Sequence, residues 1–136
     1  MNKEKLIQEL KRDEGVELRP YKCSAGFLTL GVGRNIQERG ITMDESDYLL
    51  ANDIKICEEE ATKVFKWFPS LTDDRQRAII NMVFNLGLTK LQHFKKFLAA
   101  MEEGDYERAG KEMLDSKWAR QVGNRSDRLE QMIVNG

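Results

Sequence analysis

Three side chains near the start of the chain have types and a spacing that could do chemistry. They are Glu14, Cys23 and Thr29, separated by eight and then by five residues. Glu14 closes a polar helical stretch, because Gly15 is a helix C-terminal signal and Pro20 forbids a quick restart. The unsatisfied carbonyls at a helix C-terminus form the negative end of its dipole and disfavour a carboxylate. Partial burial would raise its pKa further in the same direction. A carboxylic acid still protonated toward neutral pH can give a proton to a glycosidic oxygen. The plainer alternative is a solvated glutamate at a helix end.

Cys23 has a thiol with a reference pKa of about 8.5, so unaided it is mostly neutral at pH 7. Lys22 beside it could favour the thiolate. A thiolate could position a water or stabilise a developing cation, whereas a buried structural cysteine would do neither. Thr29 offers a hydroxyl that could hold a water, or it is an ordinary β-branched strand residue. From Phe27 to Val32 the chain is aromatic, branched or strand-tolerant, and Gly26, Gly31 and Gly33 punctuate it. A helix-terminal acid therefore faces a glycine-rich hairpin across a short turn, which can build a cleft with an acid on its wall.

The pattern Glu14, eight residues, Cys23, five residues, Thr29 resembles the active-site signature of the phage-type lysozymes (glycoside hydrolase family 24, the endolysin muramidases). That signature has Asp or Cys at the second place and opens with Asp-Glu-Gly, as Asp13-Glu14-Gly15 does here. The resemblance continues through Gly26, Thr29, Gly31 and Gly33. It resumes at Asn81-Met82-Val83-Phe84-Asn85-Leu86-Gly87, at Ser116-Lys117-Trp118 and at Asn124-Arg125. It implies catalytic roles for Glu14 as general acid, for Cys23 in assisting the water or the cation, and for Thr29 in holding the water opposite Glu14. It implies substrate-binding roles for Phe84, Asn85 and Arg125, with Arg125 reaching back to Glu14. Phe84 could equally be core, and Arg125 a surface residue at a helix start. The family's other polar cleft positions fall near Phe97 and Glu112, where neither residue type matches. Arg34 stands where some relatives carry a histidine paired with an aspartate, and Asp53 falls on that partner, so an Arg34–Asp53 ion pair is expected.

These side chains need elements to hold them. Leu6, Ile7 and Leu10 give residues 3–13 an amphipathic helix. Residues 20–42 read as a hairpin or three-stranded sheet. Thr42-Met43-Asp44-Glu45 is a capping box, which starts a helix running from about Met43 to Val64. Thr72 or Asp73 caps a helix reaching Leu86, with Gly87 as its stop. Its second half is apolar nearly all round, which belongs inside a bundle. Helices follow at about 89–103, 106–115 and 125–134, with a one-turn piece around Trp118. His93 then falls within a helix, and Cys57 reads as a small buried apolar residue.

The chain has 136 residues, 40% of them hydrophobic and 33% charged, with a formal net charge of −1. These values place it among soluble globular proteins and argue against a nucleic-acid binder with a basic face. Two cysteines and one histidine make no metal cluster or disulfide framework. No metal and no cofactor are expected. The N-terminal residues carry no apolar run of signal-peptide or anchor length.

The expected fold is α+β, mainly α: a lysozyme-like two-lobed fold with a small N-terminal β-hairpin or sheet lobe and a helical C-terminal lobe. Residues 1–136 form a single domain, with about 15–60 as hairpin lobe and linking helix and 1–14 plus 65–136 as the helical lobe. The expected function is that of an endolysin hydrolysing the β-1,4 bond between N-acetylmuramic acid and N-acetylglucosamine in peptidoglycan. Its partners are peptidoglycan glycan strands. It is a monomer with no stable membrane insertion, held in the host cytoplasm until a separate holin opens the way to the wall. Two alternatives stay open: a lytic transglycosylase using Glu14 alone, and a non-catalytic glycan-binding or structural phage protein.

Overall fold

Nine α-helices, one 3-10 turn (Phe68–Ser70) and three short strands make up the computed structural model, which describes residues 1–136. The chain is α+β and mainly helical, as the sequence patterns imply. It divides into two compact units, Met1–Tyr48 and Leu49–Gly136.

The first unit begins with α1 (Lys3–Glu14), whose start is capped by the Asn2 side chain on Lys5 N–H at 3.0 Å. Gly15 ends it at a φ of 76°, which a glycine adopts without steric cost. Three antiparallel strands follow in the order β1 (Glu17–Lys22), β2 (Leu28–Gly31) and β3 (Arg34–Asn35). The β1–β2 register slips between Glu17 and Tyr21, around Pro20, which has no N–H for the ladder. Where the sequence reads as strand and turn as far as residue 42, the chain instead forms one helical turn, α2 (Ile36–Arg39), capped by Asn35. Thr29 is the buried residue of this unit, at 3% exposure.

Helix α3 runs Met43–Val64, with the division between units falling inside it. Its capping box is reciprocal: Thr42 Oγ1 accepts from Glu45 N–H at 3.2 Å, and Glu45 Oε1 accepts from Thr42 N–H at 2.7 Å. Arg34 donates to Glu45 at 2.6 Å and not to Asp53, the partner expected from the sequence. The cap holds the Glu45 carboxylate at the helix start, where it faces Arg34.

The second unit holds every buried hydrophobic side chain of the protein, from Ala61 to Ile133. Helix α4 (Asp73–Leu86), capped by Thr72, puts Ala78, Ile79, Met82 and Val83 into this core. The expected helix over 89–103 is broken into α5 (Leu88–Leu91) and α6 (Lys95–Glu103). His93 and Phe94 lie in the break, where N–H groups reach back three residues rather than four. Phe94 there meets Trp118 edge-on, with ring centroids 6.3 Å apart. Helices α7 (Tyr106–Leu114), α8 (Lys117–Val122) and α9 (Asn124–Asn135) complete the unit. Gly110 lets α7 and α9 approach closely, since a Cβ there would stand 2.7 Å from Val134. Arg75 donates to the Ile133 carbonyl at 2.7 Å and lies over the Tyr106 ring, fastening α9 to α4 and α7.

Candidate active site

The first unit carries Glu14, Cys23 and Thr29 on neighbouring pieces of backbone. Glu14 is the last residue of α1, and its carboxylate lies over Gly33 in the β2–β3 turn. It is exposed rather than partly buried. Cys23 follows the end of β1 and closes the hairpin with two backbone bonds, its N–H to the Phe27 carbonyl at 3.0 Å and its carbonyl from Gly26 N–H at 2.8 Å. Thr29 is central in β2.

The hairpin loop favours the charged form of Cys23. Backbone hydrogen bonding from Phe27 and then Ala25 holds the thiol below its ordinary value, against a smaller opposing effect of burial. The Thr29 hydroxyl and Gly26 contribute in the same direction. That hydroxyl donates to the Phe27 carbonyl at 2.9 Å. A hydroxyl has one proton and two lone pairs, so while it bonds Phe27 it can still accept from a water, and it can turn its proton to a thiolate. Cys57 behaves oppositely: burial first, then the Glu60 and Asp53 charges, push its thiol up.

Phe84, Asn85 and Arg125 belong to the second unit and do not form one cluster. Phe84 and Arg125 line the same groove of about 780 Å³, with Ile54, Phe68, Ile80 and Asn81. Phe84 is 46% exposed, so it is a rim residue rather than core. Arg125 donates from Nε to Asn81 Oδ1 at 2.9 Å, which fixes the guanidinium against α4. Asn85 turns elsewhere, accepting from Trp118 Nε1 at 2.7 Å. Asn81 had no role assigned from sequence; its place one helical turn before Asn85, in the same block, was the available signal. Phe97 is buried and Glu112 half-buried at a smaller pocket of about 350 Å³. His93, exposed between α5 and α6, lies at that pocket too.

The phage lysozyme family model matches residues 11–132, a span that includes all six of these residues. The chain belongs to the phage lysozyme family. It is accordingly a glycoside hydrolase with a lysozyme or endolysin role. The chain is 33% identical to "Probable T4-type lysozyme 1" of Dictyostelium discoideum, over 93% of its own length and 92% of that protein's. It is 33% identical to an endolysin of Acyrthosiphon pisum secondary endosymbiont phage 1, over 86% and 79% of the two chains. A third relative is the pre-baseplate central spike protein Gp5 of Enterobacteria phage T4, 28% identical over 96% of this chain but 28% of that protein. No helix is long and apolar enough to cross a membrane.

Proposed function

We propose that this phage lysozyme hydrolyses the β-1,4 bond between N-acetylmuramic acid and N-acetylglucosamine in peptidoglycan, for lysis of a bacterial host. Residues 1–136 work as one catalytic domain. Glu14 is the general acid that protonates the leaving oxygen. Thr29 holds the attacking water through its free lone pair, and Cys23, as thiolate, draws a proton from that water or faces the developing oxocarbenium charge. Phe84 offers a half-exposed ring for a sugar face, Arg125 in the same groove offers donors for that sugar's polar groups, and Asn85, held by Trp118, offers its amide N–H to a different part of the glycan.

The observation that carries the reading is the environment of Cys23. Its loop holds the thiol below its ordinary value, chiefly through backbone bonding from Phe27 and Ala25, with the buried Thr29 acting in the same direction. This supports a thiolate doing what a carboxylate does at that place in the family's signature. Endolysin relatives support action on the cell wall from the cytoplasmic side. Access through a separate holin and action as a monomer belong to the same proposal.

Mass spectrometry of digested sacculi tests the reaction. Reducing muramic acid ends are expected; 1,6-anhydro ends would make it a lytic transglycosylase, and no release would leave only a glycan binder. Glu14→Gln should lose at least ~100-fold in rate in a turbidity assay on permeabilised Gram-negative cells. Because Glu14 is exposed, the melting temperature should scarcely move.

A further inference from the structure

Gly33 has a relation to Glu14 that no other glycine of the protein has to an ionisable group at a proposed reacting position. A Cβ built at Gly33 would stand 2.8 Å from Glu14 Oε2, 3.2 Å from its Cδ and 3.4 Å from its Cβ. The glutamate therefore lies along the glycine from its root to its tip, closer than a methyl there would allow. Nothing else in the unit restrains that carboxylate, since the ion pairs and side-chain hydrogen bonds of residues 1–48 all involve other groups.

The surface beneath Glu14 is itself fixed. Gly33 joins β2 to β3, whose pairing sets Thr29 opposite Asn35 and Leu30 opposite Arg34. Arg34, the next residue, is tied to Glu45 at the start of α3. One short turn thus locates two groups: the carboxylate that rests on Gly33, and the Thr29 hydroxyl four residues earlier on the same strand and turn.

We propose that Gly33 is a positioning residue for the reaction: by lacking a Cβ it seats the Glu14 carboxylate on the turn that also carries Thr29, and so sets the acid in register with the attacking water. This rests on Glu14 being the general acid. An added methyl would not break the fold, because the atom it strikes first is the free end of a flexible side chain. It would swing the carboxylate away. A displacement on the order of 1 Å can cost about 100-fold in rate.

Gly31 supplies the control. Its φ of +70° resembles the +62° of Gly33, yet a Cβ at Gly31 meets nothing within 4 Å. Gly31→Ala and Gly33→Ala both place an alanine at positive φ, and only the second touches Glu14. The experiment measures kcat and KM on purified sacculi, together with melting temperature, for both variants alone and in the Glu14→Gln background. Both should lower the melting temperature. Gly33→Ala alone should lose on the order of 100-fold in kcat with KM within about twofold. In the Glu14→Gln background it should cost no further rate. Equal activity of the two variants would overturn the proposal, and so would an undiminished loss in the Glu14→Gln background. A fully active Glu14→Gln would instead remove Glu14 as the acid, and Gly33 with it. Should the alanine variants melt below assay temperature, Gly31→Asn and Gly33→Asn repeat the comparison with a residue that tolerates this backbone better.

Discussion

The two units divide the work of the molecule unequally. Met1–Tyr48 carries the acid, the thiol and the hydroxyl but buries one side chain, the polar Thr29. Leu49–Gly136 carries the entire apolar core and, of the proposed site, only groups that could bind. What holds the first unit is a set of specific local bonds: the Asn2 and Asn35 caps, the Thr42–Glu45 box, the Arg34–Glu45 pair and Gln37 accepting from Leu28 N–H at 3.1 Å. The second is held by burial, which is non-directional and scales with area. Directional bonds and glycine turns can place a few catalytic atoms where a core of branched side chains would fill the space.

The largest effect that sharpens this contrast is on stability in the second unit. Phe97→Ala, at 1% exposure, should lose about 3–5 kcal/mol in denaturant unfolding. Leu18→Ala, at 86% exposure in β1, should stay within about 0.5 kcal/mol of the parent. Similar losses from the two would erase the distinction. Next comes Cys23→Ser, which removes a group able to ionise. A hydrogen bond to a charged group is worth about 1.5–3 kcal/mol, so the rate should fall ~10–100-fold with little change in melting temperature. Wild-type activity would reduce Cys23 to a hairpin residue.

A smaller, purely chemical contrast separates the two cysteines. Iodoacetamide titrated against pH and read by peptide mass spectrometry should label Cys23 at lower pH than Cys57, because the loop lowers one thiol and burial raises the other. Reversal of that order would mean that the hairpin gives the thiol no help. The smallest effect is on acid stability. Hydrogen bonds from Arg34 and Thr42 hold the Glu45 carboxyl down at about 2. A depressed carboxyl stabilises the fold fully above its ordinary value near 4.5 and loses that contribution as pH falls toward about 2. Melting temperature followed across that window should drop less in Glu45→Gln than in the parent.

Much of the helical frame was legible because helix ends are written locally. Thr42 with Glu45, Thr72 and Gly87 stop or start helices where sequence places them, and the ends near residues 103 and 106 fall within a residue of expectation. The break at His93–Phe94 was not legible, because Phe94 leaves the helical path for a ring that lies 24 residues further on, at Trp118. The one-turn α2 was hidden by its flanking turn residues, although Asn35 is an ordinary cap. For the site, residue types and spacing pointed to Glu14, Cys23 and Thr29. Three facts depended on folded neighbours: Arg34 turning to Glu45, Arg125 bonding Asn81, and Gly33 leaving room for a carboxylate.

The small sheet is open along both margins, and each is spoiled as a template in its own way. Strand β3 is two residues long, too brief to recruit a neighbour. Strand β1 is fully exposed, yet Pro20 interrupts its row of donors, its register slips, and Arg19 and Lys22 give it charge. The unit that dispenses with a core thus also resists growing into a cross-molecular ribbon, which should keep concentrated preparations free of fibrils.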